Sequence, residues 1–568
     1  MENKPEKNLK ILKKTIAKKH IMMYYNVIIC FLGGNQMKKK ILFATLVFFA
    51  MLLIATNVKA VEVSNWEELK GALQGTEEEV KLTAAITENT EASETKISIS
   101  GKKVLDLNGL TLTLKNAYFE VAGDAELTID GKGCILSDVR KTVDCITGGT
   151  LNIKSGTIKN THNDSRGNSY HGRVIGTWGT ETDTGVVTTI NVEKGVILIS
   201  DYGYGINVFE DVSKGSYNVR INTAATIRAK QMAITISGNV KEITGNVTTI
   251  NIKEGADFES PEVAIYGAGY GKWTIEQGTK FVGAEALTIK SGTFDIKGGN
   301  FIANGEYVEN PIAKGNGAES TGNAINIISH SSYAGNIEVK LSETVNVESK
   351  NGYAVYENVL EGTNVATKKL EIVNGTFTGK VGAVKSENLE GFVEAGNFSD
   401  ELDESYVSEN SESVEIDGRK YYGLPYEITI AEDSKKVISV PKTTAIPGEI
   451  VEVIIDEEEI KDKYEFKGLV ISFNRDQIEV DGTSFEMPEA DVEIKAVLKE
   501  IEKDPDPTPT PDPEPDKDPE PDKDLEPDKE PEKDETPKTG AMTGNIVVMI
   551  IVLTVTIFTV KFANKKRV

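Results

Sequence analysis

One short stretch of this 568-residue chain concentrates side chains that could hold or act on a polar ligand. Between residues 162 and 173 it carries two imidazoles, two guanidinium groups, a carboxylate and a phenol, which belong to His162, Asp164, Arg166, Tyr170, His171 and Arg173. Imidazole and carboxylate groups exchange protons, while guanidinium and phenol groups donate hydrogen bonds to polar ligands. The stretch therefore predicts either a loop that binds a ligand such as a sugar, or an ordinary solvated loop.

Four tyrosines stand among glycines further along the chain, and they offer a second kind of contact. Tyr202 and Tyr204 lie in Asp-Tyr-Gly-Tyr-Gly, and Tyr266 and Tyr270 lie in Tyr-Gly-Ala-Gly-Tyr. An exposed aromatic ring can stack on a carbohydrate, whereas a buried one packs against its neighbours. The sequence leaves both interpretations open.

Patterns for other chemistry are missing from the sequence. We find no Ser/His/Asp arrangement, no zinc-ligand spacing and no phosphate-binding loop, so we assign no catalytic residue, metal site or cofactor. The chain has 88 Asp+Glu against 63 Lys+Arg and a net charge of −25. That negative charge argues against nucleic acid as a partner, because the sequence offers no cluster of basic residues to bind the phosphate backbone.

Residues 536–568 carry a different kind of chemistry. A pentapeptide is followed by an apolar run at 546–560 and a basic tail; the pentapeptide is Thr536-Pro537-Lys538-Thr539-Gly540. This order resembles the sorting signal that sortases read, whose usual pattern is Leu-Pro-x-Thr-Gly. The resemblance implies that a sortase cysteine attacks the carbonyl of Thr539 and passes the acyl group to an amine of the peptidoglycan cross-bridge. Thr536 replaces the usual leucine, which leaves the sortase class open. A permanent C-terminal membrane helix is the alternative.

Residues 501–535 are predicted to be a spacer. Eleven of the chain's 18 prolines lie within residues 502–537, among aspartate, glutamate and lysine. Such a composition cannot bury a core and favours extended polyproline II. At ~3.1 Å per residue it could reach on the order of 100 Å, enough to cross a thick wall. A ligand for a proline-recognition domain is the alternative interpretation.

The N-terminus is predicted to direct export. Residues 37–60 hold a basic start, an apolar segment and small residues before a cleavage site between Ala60 and Val61, which is typical of a signal peptide. An N-terminal membrane anchor is the alternative. Residues 1–36 precede a complete signal, and Gly-Gly-Asn before Met37 can be encoded by a ribosome-binding sequence. We therefore interpret residues 1–36 as an annotation artefact.

The body of the chain, residues 61–425, repeats one pattern at uneven spacing. The template is apolar-polar-apolar, two polar residues, glycine and a bulky apolar residue, with copies at Leu127–Gly133, Leu151–Ile158, Ile190–Gly195, Ile250–Gly255, Trp273–Gly278, Leu287–Phe294, Leu370–Phe377 and Phe392–Phe398. Alternation at period 2 predicts strands, and glycine supplies a bend. Short strands that bury their apolar side chains against neighbouring units predict a solenoid.

We therefore predict an all-β fold, a right-handed parallel β-helix in which loops of varying length leave the rungs. Interior isoleucines should stack in one ladder that includes Ile153, Ile252, Ile289 and Ile372. A capping box at Ser64–Glu67 predicts a short helix through Leu69 and Leu73 that covers the solenoid's open end.

The first rungs, residues 97–112, and the later Gly-Thr-Phe rungs are similar to the pectate-lyase-like (pectin lyase-like) β-helix surface proteins of clostridia and related bacteria. That fold hosts lyases, hydrolases and plain adhesins, so the resemblance is informative for fold more than for function. We expect a cell-wall-anchored, surface-exposed adhesin or display protein that binds a glycan or protein of a host or bacterial surface. A wall-bound polysaccharide lyase or glycoside hydrolase is the alternative.

Two smaller features complete the sequence. Residues 426–500 resemble the small β-repeat modules of internalin-type surface proteins, which act as packed structural units. Cys134 and Cys145 follow the predicted signal peptide. They could form a disulfide, or they could be two small buried side chains in neighbouring strands.

Overall fold

The computed structural model describes residues 60–167, 171–178, 186–210, 218–238, 248–312, 314–315, 317, 321–359 and 365–501. Up to Phe398, the chain in these ranges winds repeatedly through three short strands per turn, and each strand pairs in parallel with its counterpart one turn earlier and later. The predicted all-β, parallel β-helix-like solenoid is confirmed.

The first two strands of each turn belong to a single sheet, called sheet A. Numbered in chain order, its strands are β1 Val61–Val63, β2 Glu79–Leu82, β3 Ile86–Thr87, β5 Lys102–Asp106, β6 Thr111–Leu114, β8 Glu126–Asp130, β9 Cys134–Ser137, β11 Thr150–Ile153, β12 Thr157–Asn160, β14 Thr188–Val192, β15 Ile197–Ser200, β17 Val219–Thr223, β18 Thr226–Ala229, β20 Thr248–Ile252, β21 Asp257–Glu259, β23 Gly271–Ile275, β24 Lys280–Gly283, β26 Gly292–Ala303, β28 Ile337–Ser349, β30 Thr367–Ile372, β31 Thr376–Gly379, β33 Gly396–Phe398, β34 Glu412–Ile416 and β35 Arg419–Gly423.

The third strand of each turn belongs to sheet B. Its strands are β4 Thr95–Ser98, β7 Ala117–Ala122, β10 Lys141–Ile146, β13 Arg173–Trp178, β16 Tyr204–Glu210, β19 Met232–Gly238, β22 Val263–Gly267, β25 Glu285–Ile289, β27 Ile325–Ile327, β29 Tyr353–Glu357 and β32 Gly382–Ser386. Alternate side chains of every strand face the interior, so the two sheets enclose one continuous hydrophobic core.

The predicted isoleucine ladder is right in part. Ile153, Ile252 and Ile372 are fully buried and belong to one column of sheet A, linked rung by rung through the strand register. Ile289 is also buried, but it lies in sheet B, where it pairs with Ile327. The repeat around Ile289 has the same alternation as the others, because strands on all three sides of a turn direct alternate apolar side chains into the core. Periodicity therefore could not assign it to a side.

The predicted N-terminal helix is present as α1, Trp66–Gln74, with Leu69 and Leu73 fully buried. Its capping box lies one residue later than predicted. The side chain of Asn65 accepts a hydrogen bond from the Glu68 amide at 3.1 Å, and the Glu68 carboxylate accepts one from the Ser64 amide at 2.8 Å. Reciprocal bonds of this kind satisfy amides that the first helical turn leaves unpaired.

Two side-chain ladders run along the solenoid. On sheet A, amide groups of adjacent rungs bond to one another: Asn191 donates to Asn152 at 2.8 Å, Asn222 to Asn191 at 2.8 Å and Asn251 to Asn222 at 2.9 Å. In the core, aromatic rings stack near the C-terminal end, where the centroids of Phe377 and Phe398 are 5.0 Å apart.

Beyond the last parallel rung the chain changes direction. A 3₁₀ turn at Glu404–Tyr406 leads into the antiparallel strands β34 and β35, and β35 pairs with β33. A second hydrophobic cluster begins at Ile428. It is built from α2 Glu457–Ile460 and the strands β36 Tyr426–Ile430, β37 Ile438–Ser439, β38 Thr444–Ala445, β39 Ile450–Glu452, β40 Ile454–Ile455, β41 Tyr464–Phe473, β42 Asp476–Val480, β43 Ser484–Glu486 and β44 Val492–Glu500. These elements are called the C-terminal module.

Cys134 and Cys145 are free thiols on successive strands. Cys145 is fully buried in the core, as the interpretation of small buried side chains predicts, whereas Cys134 is half-buried and lies outside the core; the two thiols form no disulfide.

The predicted upstream extension and the spacer and sorting signal after Ile501 lie outside the described residues. So does the signal peptide, except for Ala60. Val61, the predicted mature N-terminus, is the first residue of β1. Among the described residues, no helix has both the length and the apolar character needed to span a membrane.

Candidate functional site

The predicted ligand loop lies at one corner of the solenoid, between β12 of sheet A and β13 of sheet B. His162 begins the loop, and its amide donates to Asn160 Oδ1 at 2.9 Å. Its imidazole lies between two carboxylates, with Nδ1 3.5 Å from Asp138 Oδ1 and Nε2 3.7 Å from Asp164 Oδ2. Asp138 belongs to the preceding rung, so the corner gathers residues from neighbouring turns.

Asp164 is the centre of this group. Arg166 Nε donates to both of its carboxylate oxygens, at 2.9 and 3.0 Å, and Arg166 Nη2 lies 2.5 Å from Oδ2. These bonds hold the pKa of Asp164 well below its usual value. The Asp164 amide donates to His171 Nδ1 at 3.2 Å, which joins the two ends of the loop. The carboxylate is therefore a fixed anion beside the His162 imidazole and the Arg166 guanidinium, while the Asp164 backbone amide holds the His171 imidazole.

His171 lies beside Tyr202 of the next rung, with ring centroids 6.0 Å apart and planes inclined by 46°. Tyr202 is 40% exposed. We call His162, Asp164, Arg166, His171 and Tyr202 the corner patch. It presents planar rings and a guanidinium at the surface, groups that suit stacking and hydrogen bonding to a polar ligand. Tyr170, also predicted to take part, lies outside the described residues.

Arg173 does not belong to the corner patch, although the sequence grouped it there. It starts β13, is buried, and donates from Nη1 to Asn207 Oδ1 at 2.9 Å. Burial lowers its pKa, and the nearby Arg140 acts in the same direction. The sequence prediction misassigned Arg173, because the composition of residues 162–173 does not show where the loop ends and the buried strand begins.

Arg173 instead lies next to a polar row on sheet B, most of whose members are buried. Residues that face away from the core form a row in which each member pairs with the next: Glu120, Asp144, Gly176, Asn207, Thr235, Tyr266, Thr288, Asn326, Tyr356 and Lys385. We call this the outer row. Neighbouring strands lie ~4.8 Å apart, so the row presents one side chain at that interval along the solenoid.

The first half of the outer row contains a buried charge cluster. The Lys141 ammonium contacts the Asp144 carboxylate and lies 4.4 Å from the ring centroids of both Tyr118 and Trp178. Burial raises the pKa of Asp144, while Lys141 and then Arg173 oppose that shift. Burial also raises the pKa of Tyr118 to about 12.

Gly176 makes this crowding possible. A Cβ atom at that position would lie 2.7 Å from Asp144 Oδ1 and 3.1 Å from the Arg173 Cδ. The missing side chain therefore lets the arginine cross the sheet beside the carboxylate.

A second buried cation lies next to the second half of the outer row. Lys290 is fully buried, and its ammonium donates to the carbonyls of Lys314 at 2.7 Å and Gly317 at 3.3 Å. The rings of Tyr266 and Tyr333 lie 5.5 and 5.7 Å from it. Asn326, in the same row, is fully buried, and neither its amide nitrogen nor its oxygen has a hydrogen-bond partner among the residues that the structure describes. Buried amides without partners are rare, so this position is a candidate for a bound water or ligand group.

The four glycine-flanked tyrosines divide between the two predicted roles. Tyr202 is exposed at the corner patch, as expected for a ring that could stack on a ligand. Tyr266 is fully buried on the outer row, and its hydroxyl lies 3.3 Å from that of Tyr333. Tyr204 and Tyr270 are half-buried; Tyr204 packs against the core, and Tyr270 packs against Gly335.

Sequence reasoning missed Lys141, Asp144, Lys290 and Asn326. The signal available was a charge inside an apolar strand, as in Lys-Thr-Val-Asp-Cys-Ile, because charged residues are seldom fully buried unless paired. In the part of the chain that the structure describes, no three His, Cys, Asp or Glu side chains group closely enough to hold a metal ion. No family model, curated protein or solved structure matches this chain.

Proposed function

We propose that this chain is an exported surface protein of a Gram-positive bacterium, anchored to the cell wall by its C-terminus, whose solenoid binds glycans or other surface ligands. Sortase and the peptidoglycan cross-bridge are its processing partners. The solenoid coils right-handedly, the hand of nearly all parallel β-β crossovers.

Sequence features outside the described residues support export and anchoring. They are the three-part signal at 37–60, the Pro- and Asp-rich spacer at 501–535 and the pentapeptide at 536–540 followed by apolar and basic segments. Translation starts at Met37, and cleavage after Ala60 leaves Val61 as the mature N-terminus. In this scheme a sortase joins Thr539 to the wall.

The observation that carries the binding role is the pairing of His171 with the exposed ring of Tyr202 on the next rung, 6.0 Å away. Asp164 fixes the neighbouring groups through Arg166 and the His171 imidazole. Such a preorganised arrangement loses little entropy when a ligand binds, because its side chains are already held in place. Stacking and hydrogen-bonding groups on a rigid scaffold suit recognition of a surface ligand.

A second function is favoured by a different observation. Glu120 and Asp144 lie opposite each other on adjacent strands, next to the buried Lys141 and Arg173. Two carboxylates close together with a basic group can perform acid–base chemistry on a polysaccharide. The runner-up is therefore a wall-bound polysaccharide lyase or glycoside hydrolase that acts on the outer row.

One paired experiment tests the two functions. Full-length protein, purified in mild detergent, is applied to a glycan array and, in parallel, to polysaccharides in a reducing-sugar assay. The binder predicts glycan retention without sugar release, and retention falls in a double His171→Ala, Tyr202→Ala variant but not in a Tyr464→Ala control from the C-terminal module. Sugar release that both Asp144→Asn and Glu120→Gln abolish, in variants that keep the circular dichroism spectrum of wild type, would establish the enzyme instead. Retention that is equal in all variants would remove the corner patch as the binding site.

A further inference from the structure

A cleft of about 1220 Å³ opens where the last turns of sheet A meet the C-terminal module. It is remote in the chain from the corner patch, since its solenoid side is built from residues 340–346, 373–376 and 394–397. Small-molecule sites typically enclose ~300–1000 Å³. The cleft therefore has room for more than one ring of a chain-like ligand.

The floor of the cleft is a corner of the solenoid at which side chains are missing. Gly375 and Gly396 occupy equivalent bends on successive rungs and have φ values of +132° and +141°. At Gly375 a Cβ atom would lie 2.7 Å from the carbonyl oxygen of Val345. Both glycines are buried, and a Cβ atom at Gly396 would meet the Phe398 ring at 3.0 Å, so glycine is needed here to form the bends and pack them closely.

Amide and hydroxyl groups lie next to these two glycine bends. Asn346 pairs with Thr376 on the next rung, and Thr376 pairs with Asn397 on the one after. Asn374 stands at the exposed bend beside them. Amides and hydroxyls both donate and accept hydrogen bonds without carrying charge. Such a row complements a ligand that repeats hydroxyl groups along its length.

Aromatic and apolar groups form the part of the lining next to this row. Tyr421 pairs with Asn397 across the antiparallel junction, and Tyr426 follows at the start of the module. Within the described chain, neither tyrosine hydroxyl makes a hydrogen bond. Leu424, between them, is 46% exposed. An amphipathic wall of this kind offers a face for an apolar ring surface and hydroxyls for its edges.

The charged side chains that line the cleft indicate which ligands it disfavours. Three carboxylates line the cleft, from Glu394, Glu486 and Glu489, against one cation, Lys340. A polyanion such as a uronate chain would be repelled.

We propose that this cleft is a binding site for a neutral oligosaccharide, distinct from both the corner patch and the outer row. The proposal rests on the surface-binding function proposed above and adds a second ligand-binding site to the corner patch. The volume of the cleft admits the sugar rings, the amide and hydroxyl row exchanges hydrogen bonds with their hydroxyls, and Tyr421 and Tyr426 cover their apolar faces.

Isothermal titration of full-length protein with cellotetraose, mannotetraose and chitotetraose tests this site, with tetragalacturonate as the anionic comparison. At least one neutral tetrasaccharide should bind. Asn374→Trp, which fills the cleft, should weaken that binding at least about tenfold, and Tyr421→Phe, which removes one hydroxyl, should weaken it several-fold. Asn410→Trp, at an exposed turn outside the cleft, should change it less than about twofold.

Binding that Asn374→Trp and Tyr421→Phe leave unchanged would overturn the proposal, as would an absence of binding by all three neutral sugars or stronger binding of tetragalacturonate. Tyr421→Phe keeps the ring, so it remains informative if the tryptophan variant fails to fold. The same titration distinguishes failure of the cleft from failure of the corner patch. If the double His171→Ala, Tyr202→Ala variant still binds the neutral tetrasaccharide, the cleft is supported even if the corner patch binds no ligand.

Discussion

The ammonium of Lys141 contacts the carboxylate of Asp144 three residues later on the same strand, and the solenoid buries both groups. Removing either charge leaves the other without its partner in a poorly solvated site, and this costs about 3–5 kcal/mol in proteins generally. The pair therefore fixes the arrangement of the outer row around Tyr118 and Trp178, whose rings flank the ammonium.

Asp144→Ala should lower the free energy of unfolding by about 3 kcal/mol, measured by chemical denaturation of the full-length protein. Lys102→Met is the matched control, since Lys102 pairs with Glu126 at 2.9 Å but is largely exposed. The loss of stability in this variant should be much smaller, because solvent screens an exposed ion pair. Equal costs at the two positions would mean that burial does not strengthen the Lys141–Asp144 pair.

Stability should also depend on pH through Glu88, which joins the first two rungs. Its buried carboxylate accepts hydrogen bonds from the amides of Lys115 at 2.8 Å, Asn116 at 2.6 Å and Ala117 at 3.1 Å. Burial alone would raise the pKa of Glu88, but these bonds and those from Thr90 outweigh it and lower the pKa below the ordinary 4.5.

A lowered pKa means that the folded state binds the proton more weakly than the unfolded chain. The stabilisation by Glu88 is therefore complete above pH ~4.5 and is lost as the pH falls through the lowered folded pKa. Glu88→Gln should reduce the thermal midpoint near neutral pH and flatten its acid dependence, whereas Glu91→Gln, an exposed neighbour, should do neither. If the thermal midpoints of wild type and Glu88→Gln fell in parallel as the pH is lowered, Glu88 would not be the source of the acid dependence.

The amide ladder on sheet A makes a third prediction. Asn222 donates to Asn191 and accepts from Asn251, so Asn222→Ala breaks two bonds at once. At ~1 kcal/mol for each bond, the free energy of unfolding should fall by about 2 kcal/mol. Asn410→Ala, at an exposed turn, should fall within about 0.5 kcal/mol of wild type. A loss at Asn222 no greater than the loss at Asn410 would mean that water replaces the ladder bonds without cost.

The fold was predictable from sequence because each rung repeats a local pattern. Alternation at Ile153 and Ile252 predicted strands and their buried faces, and a short helix through Leu69 and Leu73 predicted the cap. What the pattern could not supply was the side of the turn on which a repeat lies, as at Ile289. Strands on all three sides direct alternate apolar side chains into the core, so their sequences look alike.

The candidate site was less predictable, for a physical reason. His162, Asp164, Arg166 and His171 lie within one loop, so their grouping was visible in the sequence. The outer row joins residues 22 to 38 positions apart, for example Thr288 and Asn326, whose contact depends on the length of every intervening loop. Burial of Tyr266 and exposure of Tyr202 likewise depend on neighbouring turns, which composition does not reveal.

Covalent display on the wall is tested most directly by mass spectrometry of protein released from cells with a muralytic enzyme. We predict a C-terminal fragment that ends at Thr539 and carries peptidoglycan, with residues 540–568 gone. Thr539→Ala should leave the chain with the membrane or in the medium, because the sortase reads the residue that it attacks. An intact Val568 terminus on protein that detergent alone extracts would show a membrane-anchored chain and contradict the wall tether.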